Sequence, residues 1–484
     1  MGAGHGPRIG RDRGARADPG ASDRGRRAVT GLRRGPRTAQ GASPDPAESS
    51  GPAERVAVRV PLRWRQTPVV PLGIIGAVLL AAVGLAASRA DVVALSTPLA
   101  LATAWALWRR PAAGRIDVGI SARAGDAAEV HVAVDVRADA EAVQFAVDQD
   151  RRRSGTVDVA PGSGVLRSRS RLSHSGPIEL LRLTARAVAA DGAWVSEVVP
   201  AGSLTWKAAP RTRRLDRLPT SVRLTGLHGA HEGSRIGQGG EFRDIHPFAP
   251  GDELRRVDWR ATARAARRPG DLLVRRTQAL SDSAVVIAMD TADDLGAVVA
   301  SWGTPDRERS GVTSLDLARE AALSLATCAV ETGDRVAFHV LAPGGRAVRS
   351  GSGARHLARL RGVIAGTGAS GDGSRFRRTP PIGSGSIVFV LSTFFDGAAA
   401  EIATRWRAGG HAVVAVDVLP EPDTARLTAE QTVAVRTLLA ERQDVMADLR
   451  GAGVEVVAWN DDGADAALRA VAAHGRAGAG RGRR

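Results

Sequence analysis

The chain has no tyrosine, one lysine and one cysteine among 484 residues, and each scarcity closes off some chemistry. With Cys328 alone, neither an intramolecular disulfide nor a cysteine-based zinc site can form, and nothing requires an oxidising compartment. Cys328 falls in an apolar helical pattern over 321–330, which predicts a buried free thiol. The lone lysine, Lys207, is followed by Ala208. A P-loop needs Gly-Lys-Ser/Thr to cradle phosphates, so nucleotide hydrolysis of that kind is excluded. Neither a Gly-x-Ser-x-Gly elbow nor a His-Glu-x-x-His helix occurs. No nucleophile–base pair suggests itself, so no catalytic residue is assigned and the chain reads as a non-enzyme. Aromatics are only 4% of the residues against 43% apolar, so the core must be built mainly from Ala, Val and Leu. The length suffices for two or three folded units.

The net charge of +16 resembles a nucleic-acid signal until it is mapped. Residues 1–65 carry 14 Arg against 6 acids, and Arg476, Arg481, Arg483 and Arg484 close the chain. The tails thus hold twelve of the sixteen charges, and the middle is nearly neutral. The middle therefore offers nothing to nucleic acid; only the arginine tails suit RNA or anionic lipid, by salt-sensitive attraction. Residues 1–54 are Gly-, Arg-, Pro- and Ser-rich without periodicity, which predicts disorder. The basic N-terminal tail is taken to residue 65, and a second basic tail spans 476–484.

Two charge-free apolar runs come next, at 67–88 and 92–108, separated by Arg89, Ala90 and Asp91. Each is about long enough to cross ~30 Å of hydrocarbon as a helix, so residues 66–110 read as a transmembrane hairpin. Arg55, Arg59, Arg63 and Arg65 precede the first run; Arg109, Arg110 and Arg115 follow the second. The positive-inside rule places both termini and the large domains in the cytoplasm, at the inner (plasma) membrane. Gly73, Ala77 and Ala81 form a small-residue stripe that would let the helices approach closely.

Over 114–206 the apolar pattern has period two, most cleanly at 130–136, with turn clusters between runs. That predicts an antiparallel β-sandwich. Over 281–475 apolar strands alternate with amphipathic helices: strands at 284–289, 335–341, 387–391, 412–418 and 454–459, helices at 315–330, 355–364, 398–408, 429–449 and 464–473. This rhythm predicts a doubly wound, Rossmann-like parallel sheet covered on both faces, with ligands beyond the strands' carboxyl ends.

The most distinctive stretch lies between, at 207–280. It contains Glu241-Phe242-Arg243, then Pro250-Gly251-Asp252, Arg255, Asp258-Trp259 and Ala263-Arg264. Pro-Gly-Asp is a turn former, with Asp252 placed to cap the next element. From residue 241 to 276 there are nine Arg against six acids. These numbers allow an ion-pair network with Trp259 packed beneath it, or else an interaction surface. His228 and His231, near Glu232 and His246, sit in a Gly-rich loop that reads as solvated rather than metal-binding.

These motifs, together with Val274-Arg275 and Gly333-Asp334-Arg335-Val336, resemble the bacterial family known as domain of unknown function 58. His246 and Phe248 stand where Arg and Tyr are usual. The resemblance covers about 66–475 and implies a von Willebrand factor A-like fold for the C-terminal half. It also implies a partner, an AAA+ ATPase of the MoxR type, and no enzymatic activity. Such domains often hold Mg²⁺ through Asp-x-Ser-x-Ser; here that loop reads Asp290-Thr291-Ala292-Asp293-Asp294, with both serines replaced. No cofactor is therefore assigned, although Asp290, Asp294 and Asp396 remain as a candidate acidic cation site. The resulting expectation is a membrane-anchored scaffold or adaptor, with a Mg²⁺-dependent protein-binding domain as the alternative.

Overall fold

The computed structural model describes residues 53–125, 129–149, 153–162, 165–219, 231–265, 267–268, 271–281, 283–302, 310–370, 379–460 and 462–481. The tail predicted for 1–52 and His228 lie outside these residues. The tail does not reach residue 65, however. Ala53–Pro61 forms β1 and Trp64–Gln66 forms β2. Val56, Val58 and Val60 alternate with polar or small residues, and β1 pairs antiparallel with β3 along its whole length. A strand that satisfies its ladder and faces a core has no reason to remain tail.

After β2 come α1 (Val69–Ala86) and α2 (Ala90–Trp108), then β3 (Arg115–Ala124), β4 (Glu129–Ala138), β5 (Ala142–Gln149) and β6 (Arg153–Val159). β7 (Leu166–Arg171), β8 (Gly176–Ala189), β9 (Trp194–Ser196) and β10 (Val199–Ala208) complete this part. One sheet runs β1-β3-β4-β7; the other runs β2-β9-β8-β5-β6, with β10 also paired to β8. Every second residue of β3 and β4 (Ile116, Val118, Ile120; Val130, Val132, Val134) is buried between the sheets. Each such side chain contributes about 1.5–3 kcal/mol when removed from water. The helical hairpin is thus an insertion between the second and third strands of the sandwich.

Both helices are long and apolar enough to cross a membrane, with mean hydropathies of 2.5 and 1.5. Most of their large apolar side chains point outward, among them Leu72, Val78, Leu85, Leu95 and Leu101. A soluble core helix would bury that surface, so the arrangement is consistent with membrane anchoring. The predicted small-residue stripe lies at the helix contact: a Cβ on Gly73 would come within 2.3 Å of Thr103 Cγ2, and Ala77 is buried. The hairpin's base is gripped by the β8–β9 turn. Thr67 Oγ1 donates to Gly192 O (2.9 Å), Trp194 Nε1 to Ala106 O (2.9 Å), and Val70 packs on Ala190, Ala193 and Trp194. Ala190 and Asp191 in that turn adopt positive φ (50° and 51°), a strained choice held by these contacts.

The stretch predicted as one signature segment divides. Residues 209–219 pack on the C-terminal domain, with Leu215 and Leu218 in its core. Beyond them β11 (His231–Pro247) and β12 (Leu273–Ser281) form an antiparallel two-stranded ribbon, bridged by the short α3 (Trp259–Ala265).

The C-terminal domain contains β13 (Ala284–Asp290), α4 (Ser314–Glu331), β14 (Arg335–Leu341), β15 (Ala347–Gly351), α5 (Ala354–Ala365) and β16 (Ile387–Ser392). It continues with α6 (Ala398–Ala408), β17 (Ala412–Asp417), α7 (Ala429–Gly451), β18 (Glu455–Ala458) and α8 (Ala464–Arg481). The sheet order is β15-β14-β13-β16-β17-β18, parallel except for the β15 edge. Val285, Ile287 and Met289 face a core with α4, α5 and α8, whereas Val286 and Ala288 face α6 and α7. Period two thus sends one strand's residues into two cores. Cys328 on α4 is buried as a free thiol, and burial pushes its pKa up to about 11. Helix α8 continues to Arg481, past residue 475 and into the stretch predicted as a basic tail, although Gly475, Gly478 and Gly480 each weaken helix propensity there.

Candidate interaction surface and the Asp290 loop

The signature residues build a small module on the end of the ribbon. Ala249, Pro250, Gly251 and Asp252 form a turn closed by Asp252 N donating to Ala249 O (3.0 Å), with Gly251 at φ 99°. Pro second and a positive-φ glycine third define a type II turn. Asp252 does not cap the next element; it folds back to accept from Ala249 N (2.9 Å). His246 Nε2 lies 3.6 Å from the same carboxylate, so this position faces an acid. Asp258 is the helix cap: its Oδ1 accepts from Arg260 N (3.1 Å) and Ala261 N (2.9 Å). Val257 bridges Val274, and Leu273 N donates to Thr262 Oγ1 (3.0 Å), which fixes α3 against β12.

These bonds occupy the acids. Asp252, Asp258 and Asp271 each accept from a backbone N–H, and Glu253 pairs with Arg255 at 2.6 Å and Arg256 at 3.2 Å. Arg260, Arg264, Arg267 and Arg275 have no carboxylate partner among the described residues. At Asp252, Asp258 and Asp271 backbone capping thus takes the place of the predicted ion pairs. Trp259 is not packed beneath a network either: it is 66% exposed, as is Leu254, and Phe242 is 49% exposed. The reason is that Val257 and Val274 already fill the space under α3, so the indole, first residue of the helix, is directed outward. Arg275 lies over the Phe242 ring (5.4 Å). Arg255, Arg256, Trp259, Arg260 and Arg275 line an open concavity of about 820 Å³. Ala263 and Arg264 are exposed on α3; the side chains of His231, Glu232, Glu241 and Arg243 lie outside the described residues.

The candidate cation residues are placed differently. Asp290 ends β13 and is buried; its Oδ2 accepts from Ser392 Oγ (2.7 Å) and its Oδ1 from Ala292 N (3.0 Å). Burial first, then the Asp396 and Asp293 charges, push its pKa up to about 6. The neighbour that shares its recess is Asp293 rather than the predicted Asp294, and Asp293 accepts from Thr393 Oγ1 (3.2 Å). Burial also raises the Asp293 pKa. Asp396 caps α6 through Ala398 N (3.0 Å). Arg442, buried on α7, donates to Thr393 O (2.6 Å), pairs with Asp417 and lies over Phe395, fixing this loop.

The residues do not fit a Mg²⁺ ion as they stand. Among the described residues no three His, Cys, Asp or Glu side chains converge as a metal cluster. The recess has no room for a water-sized group, and both Asp290 oxygens already accept hydrogen bonds. An octahedral ion keeping several waters needs an open oxygen cage. Sequence reasoning missed Asp293, Ser392 and Arg442: the serines expected near Asp290 are absent from its own loop, and a serine returns from β16.

A transmembrane-type hairpin inserted in a β-sandwich that leads into an α/β sheet domain defines the class. A family model described as "Protein of unknown function DUF58" matches residues 244–442, so this part of the chain is similar to that family. The match begins in β11 and runs through α3 and the sheet to α7, so the exposed module is part of it. No curated protein and no solved structure matches the chain.

Proposed function

We propose that the protein is a membrane-anchored, non-enzymatic scaffold. The hairpin holds it at the membrane, and the α/β domain, of the von Willebrand factor A type that the sequence resembles, presents a docking platform. The partner implied by that resemblance is an AAA+ ATPase of the MoxR type, on the cytoplasmic side that the flanking arginines favour.

One observation carries the reading: specific buried contacts run without a break from the hairpin to the α/β domain. Trp194 bonds α2 to the sandwich. On the far side of the sandwich, Ser175 donates from its N and its Oγ to Asp316 Oδ1 on α4 (both 2.8 Å), and His174 Nδ1 meets Asp316 Oδ2 at 2.7 Å. Arg319, 1% exposed, donates to Ser175 O (3.1 Å) and Thr367 O (2.8 Å). Gly176, at φ 92°, leaves the space that this guanidinium occupies, because a Cβ there would lie 2.5 Å from Arg319 Cζ. Arg213 adds a bond to Glu320 (2.7 Å). A tether this specific suits a protein that positions a partner relative to the bilayer.

The test is a pull-down of the full-length protein from host membranes in detergent, with Mg²⁺ and with chelator, for wild type and Asp290→Ala. Recovery of an AAA+ ATPase under both conditions is the expected result. Recovery only with Mg²⁺, lost in the variant, replaces this reading by cation-controlled binding. Recovery of no ATPase removes the scaffold assignment.

A further inference from the structure

We infer that the α3 module on the ribbon is the docking face, and that its occupant is an acidic peptide segment of the partner carrying an apolar anchor residue. The inference rests on the scaffold reading and deepens it by naming the surface and the chemistry it takes.

Four observations converge. Trp259, on the wall of the concavity, and Leu254, five residues before it, are each 66% exposed on a body whose other large apolar side chains outside the hairpin are mostly inside. Trp and Arg are the residues most enriched at interface hot spots, and both line the same concavity. Asp252, Asp258 and Asp271 are engaged in backbone caps and Glu253 in its own pairs, and Arg260 and Arg275 are cations with no carboxylate partner among the described residues. Finally, the surface is held from within the module: Arg275 lies over Phe242 at 5.4 Å, and Asp258 and Thr262 bond α3 to its surroundings, contacts that lower the ordering cost of binding.

The same geometry selects a peptide over other anions. The open concavity has a Trp wall against which a partner's apolar side chain can pack. Glu253 and Asp258 stand beside the arginines, and a continuous phosphate backbone, of nucleic acid or of anionic headgroups, would meet their repulsion. A peptide can place an Asp or Glu at each arginine and an apolar residue on the indole.

The experiment places the photo-crosslinker p-benzoylphenylalanine at position 259 of the full-length protein in host membranes. The control carries it at position 433, an exposed apolar position on α7. Adducts are mapped by mass spectrometry. The expected result is a protein adduct at 259 whose crosslinked segment is rich in Asp and Glu. Its yield should fall at least ~10-fold when Arg260→Glu and Arg275→Glu are combined, and should fall as salt rises from about 0.1 M towards 1 M. Arg260→Gln with Arg275→Gln should give a smaller loss; both variants alter exposed side chains, and an unchanged melting temperature shows they fold. Adducts to lipid alone, to a segment without acidic character, or none above the 433 control overturn the inference. If the ATPase still co-purifies with the double Glu variant, the scaffold reading stands and its docking face lies elsewhere. If the wild type captures no ATPase, the scaffold reading itself has failed.

Discussion

The Asp290 loop, at the carboxyl end of β13, and the α3 module, on the two-stranded ribbon, both gather charge, and they treat it in opposite ways. At Asp290 the carboxylates turn inward, onto Ser392, Ala292 and Thr393, and burial raises their pKa values. At α3 Asp252 and Asp258 turn back onto backbone N–H groups, Glu253 pairs with Arg255 and Arg256, and Arg260, Arg275 and Trp259 are exposed. The first arrangement saturates its polar groups within the fold; the second leaves bonding capacity facing solvent. The two clusters thus dispose of their charge differently, one within a loop and the other at the surface.

The most severe test of the inward half lies at the junction of sandwich and α/β domain. Asp316→Ala removes the acceptor of His174 and Ser175, and also one half of the capping box at Thr313. It leaves Arg319 buried beside them without its nearest carboxylate (3.6 Å). Breaking a buried pair from one side costs about 3–5 kcal/mol, so thermal melting should drop steeply and proteolysis should separate the two domains. A loss under ~1 kcal/mol would show the junction to be soft. The pH dependence is set by the pKa of Asp316. Burial raises it, but the His174 hydrogen bond and charge and the Ser175 donors outweigh that and hold it at about 2. A depressed carboxylate contributes stability above its unfolded pKa of about 4, lost as pH falls towards 2. Acid melting should therefore begin at this junction in wild type, and the Ala variant should lack that component.

A smaller effect is expected at Asp290, with the opposite sign. Its folded pKa of about 6 exceeds the unfolded value, so its contribution is fully present below pH ~4 and lost as pH rises through ~6. Asp290→Asn removes the buried charge while keeping an acceptor for Ser392. It should raise stability at pH 7.5 by on the order of 2 kcal/mol relative to its effect at pH 4. A variant equally destabilised at both pH values would mean that the carboxylate is stabilising as an anion, and the contrast with α3 would weaken.

Periodicity is legible where a segment has one dry face. The valines of β4 and the strand–helix rhythm from Ala284 onward locate their elements closely, and α6 has the bounds read from the sequence. The strand β1 was hidden because its alternating valines share their window with arginines and adjoin a Gly- and Pro-rich run. The ribbon was hidden for a different reason: β11 is Gly-rich and β12 carries Arg275 and Arg276 side by side, so neither shows the alternation that burial imposes on a sheet face. Asp293 and Asp294 are indistinguishable without the loop's curvature, which directs Asp293 to Thr393. The direction of Trp259 was equally unreadable. A lone aromatic in an Ala-rich chain is more often core, and only the three-dimensional placement of Val257 and Val274 beneath α3 turns it outward.

That placement supplies the mildest prediction and the one that most sharpens the contrast between regions. Trp406 on α6 is 4% exposed and Trp259 on α3 is 66% exposed. Replacing a buried Trp by Ala costs about 3–5 kcal/mol, so Trp406→Ala should melt far below wild type. Trp259→Ala removes a side chain that fills no core position, and its melting temperature should stay within the shift of about 0.5 kcal/mol typical of surface changes. If the outward indole is an anchor, the same variant should lose partner recovery in the pull-down while remaining folded. A destabilised Trp259→Ala would instead return the residue to the fold, and the α3 module would become one more inward-facing cluster.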